Sequence, residues 1–533
     1  MKTQRDLAAA ISPSLALAVP FLVFASHNGY PWARPALWLA CATVMLPGLL
    51  LGALSQLGDF RVRVGALGVA TALAVDLQLR SSSSVVKGEV AVAAIVVIVG
   101  LAAALRDRLF PPVAVFLGIF LLTTPLARVG DPLVAERGGT ATPSPRLDLP
   151  PIVYLILDEQ GGVDAIPEEA DPGGRLRTTL REAYVENGFR VYTRAYSRYF
   201  NSYNSIPNVL NLSSAPNDNA YLRRDGNDES RILLENEAFR RLAQRGYRIR
   251  VYQSSYMDFT QSKDAPVDYA YTYQIHSVGM LADLPMPVPQ KTVLLLNSFT
   301  EKSVVIGALR DGYASLRKAG GRSGVHLPAW PRNPGGVAVP AAAALQRLAG
   351  DLATRENRGT LTFAHITLPH YSYLFDDHCR PQPSLEDWRD RRVHKGRVEE
   401  SDRRLRYEAY VQQSLCGQTL VTQLIEGLRA KGDWDDAVVI VHGDHGSRIT
   451  AREPSGRNAT KLTDQDQRDS FATFLAIKRP GVPAGISEVP VAVQDALAIV
   501  LDGREPEIAP PYVLLRATGK FREVPFTGYD STR

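Results

Sequence analysis

Long apolar runs dominate the first part of this 533-residue chain, and charged residues reach the density of a soluble protein only after it. Five of these runs approach or meet the roughly 20 apolar residues that a helix needs to cross a bilayer. They cover residues 7–26, 36–56, 64–79, 89–105 and 110–127. A cleaved signal peptide explains only the first of them. The pattern therefore predicts a transmembrane domain of about five helices over residues 1–128.

Basic residues in the loops between these runs indicate how the helices are oriented. One set of loops carries Lys2, Arg5, Arg61, Arg63, Arg106 and Arg108, and the alternate loops carry Arg34, Arg80 and Lys87. Because cytoplasmic loops are enriched in lysine and arginine, we expect the N-terminus in the cytoplasm. Five crossings then place everything after Arg128 outside. Asp76, near the outer end of the third run, is an intramembrane carboxylate and a functional candidate, or it can reach the outer interface.

A linker rich in glycine, proline and threonine is predicted at residues 129–151, and short apolar runs then alternate with helical patterns. Residues Ile152 to Leu157 form one continuous apolar run, which predicts a strand buried on both faces. A long helical pattern leads into a second such strand at Val438. Alternation of this kind indicates an α/β domain, here residues 152–533, with helices on both faces of a sheet.

The segment 292–317 mixes apolar and charged positions. It can form a helix of the α/β domain or an amphipathic helix that lies on the membrane surface. We expect a helix of the domain.

Net charge and cysteine content limit the compartment and the partners. The formal charge of +5 is small for this length and argues against a nucleic-acid-binding protein. Cys41 lies in an apolar run, whereas Cys379 and Cys416 lie in the α/β domain. These two can form a disulfide if the domain faces an oxidising compartment, or they can be two separate buried thiols.

Candidate metal ligands follow two of the predicted strands. The strand at Val438 opens into a glycine-punctuated loop with Asp444 and His445, adjacent carboxylate and imidazole donors that suit Zn²⁺ or Mn²⁺. Asp158 directly follows the first strand. Since ligands collect at the carboxyl ends of strands in α/β sheets, we expect these three residues at one edge. The alternative interpretation of Asp-His-Gly is a polar turn.

A segment crowded with hydroxyl groups lies between these strands. Within Tyr196 to Leu212, Ser202 and Ser205 stand before an apolar helical pattern. A hydroxyl at a helix N-terminus beside a divalent cation is a good nucleophile, although capping is the commoner role of a serine there. His370 follows another strand and can bind a second metal ion, hold a substrate oxyanion or be structural.

The order of these motifs resembles the alkaline-phosphatase/sulfatase superfamily: a strand followed by Asp158, Ser205 in Ser-x-Pro, His370 in Leu-Pro-His, and a strand followed by Asp444-His445-Gly. Five spans before an outer catalytic domain are similar to the membrane lipoteichoic acid synthases and lipid A phosphoethanolamine transferases. The resemblance implies a central mixed, mainly parallel sheet flanked by helices. It also implies a Zn²⁺ or Mn²⁺ ion held by Asp158, Ser202, Asp444 and His445.

The same resemblance implies a nucleophile. The phosphoethanolamine transferases use a threonine three residues before a serine, in T-x-x-S-x-P, and this spacing gives Ser202, with serine for threonine. Counting back from the proline, as in the sulfatase signature C/S-x-P-x-R, gives Ser205, but Val209 stands where that signature has arginine. His370 matches the second-metal or substrate histidine. No histidine follows His445, where the transferases have a further one, so a complete second metal site is not expected.

The activity implied by the resemblance is a two-step transfer in which Ser202 and His370 are the catalytic residues. Ser202 takes a phospho-head-group, phosphoethanolamine or phosphoglycerol, from a membrane phospholipid and passes it to a cell-envelope glycan or glycolipid. The protein then lies in the bacterial inner membrane with its catalytic domain in the periplasm. Arg198 and Arg448 flank the motifs and can bind phosphate oxygens or lie on the surface. A hydrolase on the same site (phosphodiesterase, phosphatase or sulfatase) and a non-catalytic membrane scaffold are the alternatives.

Overall fold

The computed structural model describes most of the chain, and every structural statement below concerns the described residues. These are residues 2–81, 100, 104, 108, 110–123, 134–138, 146–213, 221–224, 230–263, 265–275, 278–301, 303–322, 325, 327–328, 336–385, 387–388, 400–450, 452–503, 510–517 and 519–529. The chain forms two compact units. The first consists of Met1–Leu133, Ser277–Gly335 and Pro383–Leu385, and the second of Val134–His276, Gly336–Gln382 and Glu386–Arg533.

The helices of the described residues are numbered along the chain. They are α1 (Lys2–His27), α2 (Pro35–Gln56), α3 (Phe60–Ser81), α4 (Phe110–Thr123), α5 (Arg175–Thr178, continued by Thr179–Ala183 and Tyr184–Glu186), α6 (Ser202–Leu210), α7 (Glu237–Gln244), α8 (Val288–Thr300), α9 (Val304–Arg322), α10 (Ala338–Thr354), α11 (Glu400–Lys431), α12 (Asp464–Phe471) and α13 (Val493–Asp502).

The strands are numbered in the same way. They are β1 (Val134–Gly138), β2 (Ile152–Leu157), β3 (Arg190–Tyr192), β4 (Ala195–Tyr196), β5 (Leu222–Arg224), β6 (Arg231–Leu233), β7 (Arg248–Ser254), β8 (Met257–Asp258), β9 (Tyr269–Tyr273), β10 (Thr360–Ile366), β11 (Val438–Gly443), β12 (Leu475–Lys478), β13 (Gly485–Ser487), β14 (Val491–Ala492), β15 (Tyr512–Ala517) and β16 (Lys520–Pro525).

The first unit is built around α1, which packs against α2, α3 and α4. Two glycines let α1 and α2 approach closely. A Cβ atom on Gly52 would lie 1.9 Å from the carbonyl oxygen of Ala10, and one on Gly48 would lie 2.5 Å from the Cα of Ser14. Small residues of this kind allow the backbones of apolar helices to come into direct contact.

Two helices of the described residues are long and apolar enough to cross a membrane, Asp6–His27 and Pro35–Gln56. They match the first two predicted spans. The third predicted span is the helix α3, and the fifth is α4, but neither meets the same criterion of length and hydropathy. The fourth, residues 89–105, lies almost entirely outside the described residues. The bent pair α8 and α9 meets the criterion only if the two helices count as one broken span. The described residues thus give two candidate spans, or three with this pair, where five were predicted.

The helices α8 and α9 belong to the first unit, although both of their neighbours along the chain, β9 and α10, belong to the second. Phe299 of α8 packs its ring against those of Phe21 and Phe24 of α1, with centroids 5.3 and 5.4 Å apart. The expectation that residues 292–317 form a helix of the α/β domain is therefore wrong. Phe299 faces α1 of the first unit instead of the sheet.

The second unit is organised around a nine-stranded sheet in the order β1-β9-β7-β10-β2-β11-β12-β3-β13. The five strands β9, β7, β10, β2 and β11 are parallel, whereas β1 and β12 are antiparallel to their neighbours. The predicted α/β fold with a mixed sheet and helices is confirmed. Its central strands are near-continuous apolar runs because both faces of the sheet are covered.

The two faces of the central strand β2 pack into different parts of the core. Ile152, Tyr154 and Ile156 share a cluster with Phe239 of α7 and Leu497 of α13. The alternate residues of β2 are also fully buried, which is the pattern of a strand covered on both faces. The long helix α11 packs against α10. This arrangement fixes the positions of the strand ends that carry the candidate site.

Candidate active site

Three neighbouring parallel strands end at one edge of the sheet. β2 lies between β10 and β11, and His365 of β10 stands beside Ile156 of β2. Asp158 directly follows β2, and Asp444 directly follows β11. The carboxyl ends of these strands therefore bring together side chains that are far apart along the chain, as expected for an α/β sheet.

The four residues predicted as metal ligands converge at this edge. Nε2 of His445 lies 3.2 Å from Oδ2 of Asp444 and 3.9 Å from Oδ1 of Asp158. The same nitrogen lies 3.4 Å from the hydroxyl oxygen of Ser202. All four side chains are buried. The geometry thus brings Asp158, Ser202, Asp444 and His445 into one group.

Hydrogen bonds around Asp444 and His445 leave electron pairs directed at the centre of this group. Nδ1 of His445 donates to the carbonyl of Gly446 at 2.9 Å, so in the neutral ring Nε2 carries a lone pair. Oδ1 of Asp444 accepts from the N–H groups of Glu159 and His445, both at 3.0 Å. Oδ2 of Asp444 and Oδ1 of Asp158 have no hydrogen-bond partner among the described residues. Buried oxygen and nitrogen atoms that face one another in this way fit a bound cation.

The residues of this edge fit a divalent metal ion by donor type as well. The potential ligand atoms of Asp158, His365 and Asp444 lie within 4.8 Å of one another, and so do those of Asp158, Glu159 and His370. Carboxylate oxygen and imidazole nitrogen are ligands of Zn²⁺ and Mn²⁺. Asp158 belongs to both groups. This edge of the sheet therefore offers ligands for one metal ion and some of the ligands that a second ion would need.

The pKa values of the two central carboxyl groups, Asp158 and Asp444, are shifted in opposite directions by their surroundings. Burial opposes the charged form of Asp158, but His370, His365 and His445 outweigh it and hold the pKa of this carboxyl well below its usual range. Burial and the charge of Asp158 raise the pKa of Asp444 well above its usual range. Two buried carboxylates this close ionise together only if positive charge is added between them.

Ser202 is the first residue of α6. Asn201 caps this helix, because its side-chain oxygen accepts a hydrogen bond from the N–H of Asn204 at 3.0 Å. The first N–H groups of a helix have no partner within the helix, and they favour a nearby anion. The hydroxyl of Ser202 therefore lies where a helix N-terminus and the candidate metal ligands meet.

The hydroxyl of Ser205, one turn further along α6, is hydrogen-bonded to other parts of the protein. Its hydroxyl donates to the main-chain carbonyl of Asp444 at 2.6 Å and accepts from Nε2 of Gln494 at 3.0 Å. The side chain is completely buried. These contacts hold the Asp444 loop and point the hydroxyl of Ser205 away from the carboxylates. Of the two serines, Ser202 is the one whose hydroxyl faces the candidate metal ligands.

His370 and Arg448 lie on the more open side of the site, around Glu159. Nε2 of His370 lies 3.7 Å from Oε1 of Glu159, and Nδ1 of His370 donates to the carbonyl of Tyr371 at 2.6 Å. The guanidinium of Arg448 lies 3.9 Å from the same carboxylate oxygen. Arg198, the other arginine near the motifs, forms a two-point ion pair with Asp495 and is not part of this group.

Two further residues belong to the site: Glu159, which the resemblance places beside Asp158 as in the paired acids of sulfatases, and His365, which had no role assigned from the sequence. Glu159 contributes because it has a left-handed backbone conformation, with φ of 65°, directly after β2. Adjacent residues of a regular strand point to opposite faces, so only this turn lets Asp158 and Glu159 act together. His365 contributes from within β10. The one ionisable residue of this strand, close before Leu-Pro-His370, is the sequence signal for it.

His442, which stands close to the motif, lies outside the site. Its Nδ1 donates to the carbonyl of Gly443 and its Nε2 accepts from the hydroxyl of Tyr154, both at 2.7 Å. The ring is completely buried. His442 is therefore a structural histidine of β11.

No family model and no curated protein sequence matches this chain. Its fold is similar to several solved structures. The zinc complex of the C-terminal periplasmic domain of EcEptC from Escherichia coli matches with a TM-score of 0.40 and 10% identity, covering 74% of this chain and 96% of that one. A protein in the alkaline phosphatase superfamily from Vibrio parahaemolyticus matches with a TM-score of 0.37 and 12% identity, covering 75% and 73%.

A third similar structure is the lipoteichoic acid synthase LtaP from Listeria monocytogenes, with a TM-score of 0.35 and 12% identity, covering 68% of this chain and 75% of that one. The similar structures thus include members of the alkaline-phosphatase superfamily, which the sequence motifs resemble.

Proposed function

We propose that this chain is a membrane-bound, metal-dependent transferase. It moves a phospho-head-group, phosphoethanolamine or phosphoglycerol, from a phospholipid to a hydroxyl of a cell-envelope glycan or glycolipid, through a covalent intermediate on Ser202. One observation carries the proposal. The hydroxyl of Ser202 stands at a helix N-terminus, 3.4 Å from Nε2 of His445, beside the buried carboxylates of Asp158 and Asp444.

The protein side chains that would hold Zn²⁺ or Mn²⁺ are Asp158, Asp444 and His445, with His365 adjacent and Ser202 within reach. When bound, such an ion lowers the pKa of a nearby hydroxyl and neutralises charge on the transferring group. Asp158 and Asp444 are kept dry and in place by the strands that they follow. This burial strengthens their interaction with any cation that enters.

Ser202 enters the first step with its hydroxyl proton already lost to solvent and leaves the second step in the same form. In the first step its oxygen attacks the phosphorus atom of the phospholipid. A bond forms between this oxygen and phosphorus, and the bond to the glycerol oxygen of diacylglycerol breaks. His370, whose Nε2 faces the site from the open side, is placed to give a proton to the departing oxygen. Glu159, 3.7 Å away, pairs with the protonated ring.

In the second step an acceptor hydroxyl attacks the same phosphorus atom and Ser202 departs. His370 then takes the acceptor proton, the reverse of its first role. Arg448, 3.9 Å from Glu159 and partly open to solvent, is placed to bind a phosphate oxygen in both steps. A hydrogen bond from a charged guanidinium positions a phosphate more firmly than a neutral one.

Two features of the chain support a donor that remains in the membrane and a site outside the cytoplasm. The helices α1 and α2 are long and apolar enough to anchor the chain in a bilayer. Cys379 and Cys416 are joined as a disulfide in the second unit, which carries the candidate active site. Disulfides persist in oxidising compartments. We infer that the protein lies in the bacterial inner membrane with its catalytic unit on the periplasmic side.

The experiment combines metal analysis with intact-mass measurement of the full chain after incubation with mixed bacterial phospholipids. We expect stoichiometric Zn or Mn and an added head-group mass that Ser202→Ala abolishes and Ser205→Ala retains. A mass that persists in Ser202→Ala and is lost in Ser205→Ala makes Ser205 the nucleophile. Transfer to water alone in the presence of glycan and glycolipid acceptors makes the protein a hydrolase. Absence of metal and of any adduct contradicts the proposal and favours a non-catalytic scaffold.

A further inference from the structure

The helix α9 of the first unit has a long apolar stripe that is exposed. Val305, Leu309 and Leu316 are 39, 57 and 65% exposed, respectively. Together with Gly312 they are spaced at i, i+4, i+7 and i+11, which places them on one face of a helix. Ala308 and Ala319 widen the same face. A stripe of this size on a soluble helix is unfavourable in water and indicates a partner surface.

The opposite face of α9 is basic. Arg310, Arg317 and Lys318 lie there with a single acidic residue, Asp311. A helix with an apolar face and a lysine- and arginine-rich polar face is typical of helices that lie in the plane of a membrane surface. Its positive charge is complementary to anionic headgroups.

The start of α9 is fixed to α3 through Asp76. The carboxylate of Asp76 accepts hydrogen bonds from the hydroxyl of Ser303 at 2.5 Å and from the N–H groups of Val304 and Val305, both at 3.2 Å. Asp76 thus caps the N-terminus of α9, which accounts for a carboxylate in an apolar helix. It stands five residues before the end of α3 at Ser81, a distance of about 8 Å at the rise of an α-helix.

The helix α8, which precedes α9, is held at the same end of the first unit. Its Phe299 packs against Phe21 and Phe24, within the last two turns of α1. The hydroxyl of Thr292 lies 3.5 Å from the carbonyl oxygen of Ala36, near the start of α2. Because α1, α2 and α3 are joined by short loops and alternate in direction, the end of α1, the start of α2 and the end of α3 lie on one side.

Aromatic residues mark this side as the level of the membrane–water interface. Trp32 and Trp38 lie at the α1–α2 connection with ring centroids 6.0 Å apart, and Nε1 of Trp38 donates to the carbonyl of Trp32. Tryptophan is enriched at the headgroup level of membrane proteins. The N-terminus of α9 therefore lies close to this level, and α9 leaves α8 at a bend of 115°.

We propose that α9 lies in the headgroup region of the bilayer at this side of the first unit. Its Val305–Leu309–Leu316 face is in contact with the acyl chains, and Arg310, Arg317 and Lys318 are directed to anionic headgroups. The occupant of the exposed stripe is thus the lipid bilayer. This inference rests on the first unit alone and does not depend on the activity proposed above.

The test uses single-cysteine variants of the full chain in a Cys41→Ala background, with the Cys379–Cys416 disulfide retained. Leu309→Cys, Leu316→Cys and, as the matched control on the other face, Asp311→Cys each receive a small environment-sensitive fluorophore. The labelled proteins are reconstituted into vesicles of equal parts phosphatidylcholine and phosphatidylglycerol. Quenching is measured with aqueous iodide and with lipids that carry a spin label near the headgroup end or near the end of the acyl chain.

We expect the labels at residues 309 and 316 to be quenched several-fold more by the shallow lipid label than the label at residue 311, which iodide quenches instead. Vesicles of phosphatidylcholine alone should weaken the difference, since the basic face then has no anionic partner. Strong quenching at residue 309 by the deep lipid label overturns the proposal in favour of a crossing helix. Protection of residues 309 and 316 from every quencher also overturns it, because a protein surface, such as a second copy of the chain, then covers the stripe.

Discussion

The hydroxyl oxygen of Ser202 lies 3.4 Å from Nε2 of His445, a nitrogen that is also 3.2 Å from Oδ2 of Asp444. This relationship joins the helix α6 to the loop after β11 and makes Ser202 the hydroxyl that faces the candidate metal ligands. The proposed covalent step on Ser202 depends on this contact.

Ser202→Ala should abolish the covalent adduct and lower the rate of head-group transfer by about a thousandfold or more, the usual cost of removing a nucleophile. Ser202→Thr should retain part of the activity, since it keeps the hydroxyl. The measurement is transfer of a labelled head group by the reconstituted full chain, together with metal content. A Ser202→Ala protein that transfers at the rate of the original chain would exclude Ser202 as the nucleophile.

Removal of the Asp444 carboxylate should raise the melting temperature of the metal-free protein and lower that of the metal-bound protein. In the metal-free protein the buried Asp444 carboxyl must take up a proton on folding, because burial and the charge of Asp158 raise its pKa. Asp444→Asn removes this cost, so the melting temperature at neutral pH should rise. In the original chain added Zn²⁺ or Mn²⁺ should raise the melting temperature, because ligands that bind only the folded state stabilise it. This rise should be lost in Asp444→Asn.

The matched control for this experiment is Asp435→Asn, an exposed carboxylate near the start of β11. Its melting temperature should follow that of the original chain both with and without metal. If Asp444→Asn still gains stability from the metal ion as the control does, Asp444 is not a ligand.

Ser205→Ala should act through Asp444 and not through the chemistry itself. Loss of the 2.6 Å hydrogen bond to the main-chain carbonyl of Asp444 leaves a buried acceptor without its partner, which costs about 1–3 kcal/mol of stability. We expect a lower melting temperature and weaker metal binding, while the adduct on Ser202 still forms. Intact mass and metal titration of the same preparation measure both effects. Loss of the adduct at saturating metal would assign Ser205 a direct role.

The parts of the site that follow from strand ends could be predicted from the sequence, because parallel strands place their carboxyl ends at one edge. The apolar runs before Asp158, Asp444 and His445 were sufficient to predict that these residues lie together. Glu159 could not be assigned in this way, since its contribution depends on a left-handed residue that no local pattern announces. His365 is the one ionisable residue of β10, and its role becomes evident only from the neighbouring β2.

For the fold, too, the local elements could be predicted from the sequence, but their long-range arrangement could not. The continuous apolar runs of β2 and β11 identified buried strands of an α/β sheet, whereas the order of nine strands depends on contacts far apart along the chain. The helices α8 and α9 were assigned to the wrong unit because an amphipathic pattern gives the width of an apolar face and not the surface it meets. Phe299 meets α1, and nothing within residues 292–317 specifies that choice.

The buried pair His442 and Tyr154 gives a prediction about acid stability. Burial lowers the pKa of His442 to about 4, so the folded protein keeps this ring neutral well below the usual histidine pKa of about 6.5. The unfolded chain takes up a proton as the pH falls through about 6.5, and the folded chain does so only near 4. The folded state therefore loses stability as the pH falls through this window, by up to about 3 kcal/mol from this residue.

His442→Gln keeps a group that can accept from the hydroxyl of Tyr154 and removes the titration. We expect the free energy of unfolding of the variant to fall less steeply than that of the original chain between pH 6.5 and 4, and the two curves to run parallel above pH 7. Thermal unfolding of the detergent-solubilised chain in the presence of a chelator measures this difference, because the chelator removes the separate effect of metal release in acid. Equal slopes across the window would mean that His442 takes up its proton in the folded protein as readily as in the unfolded chain.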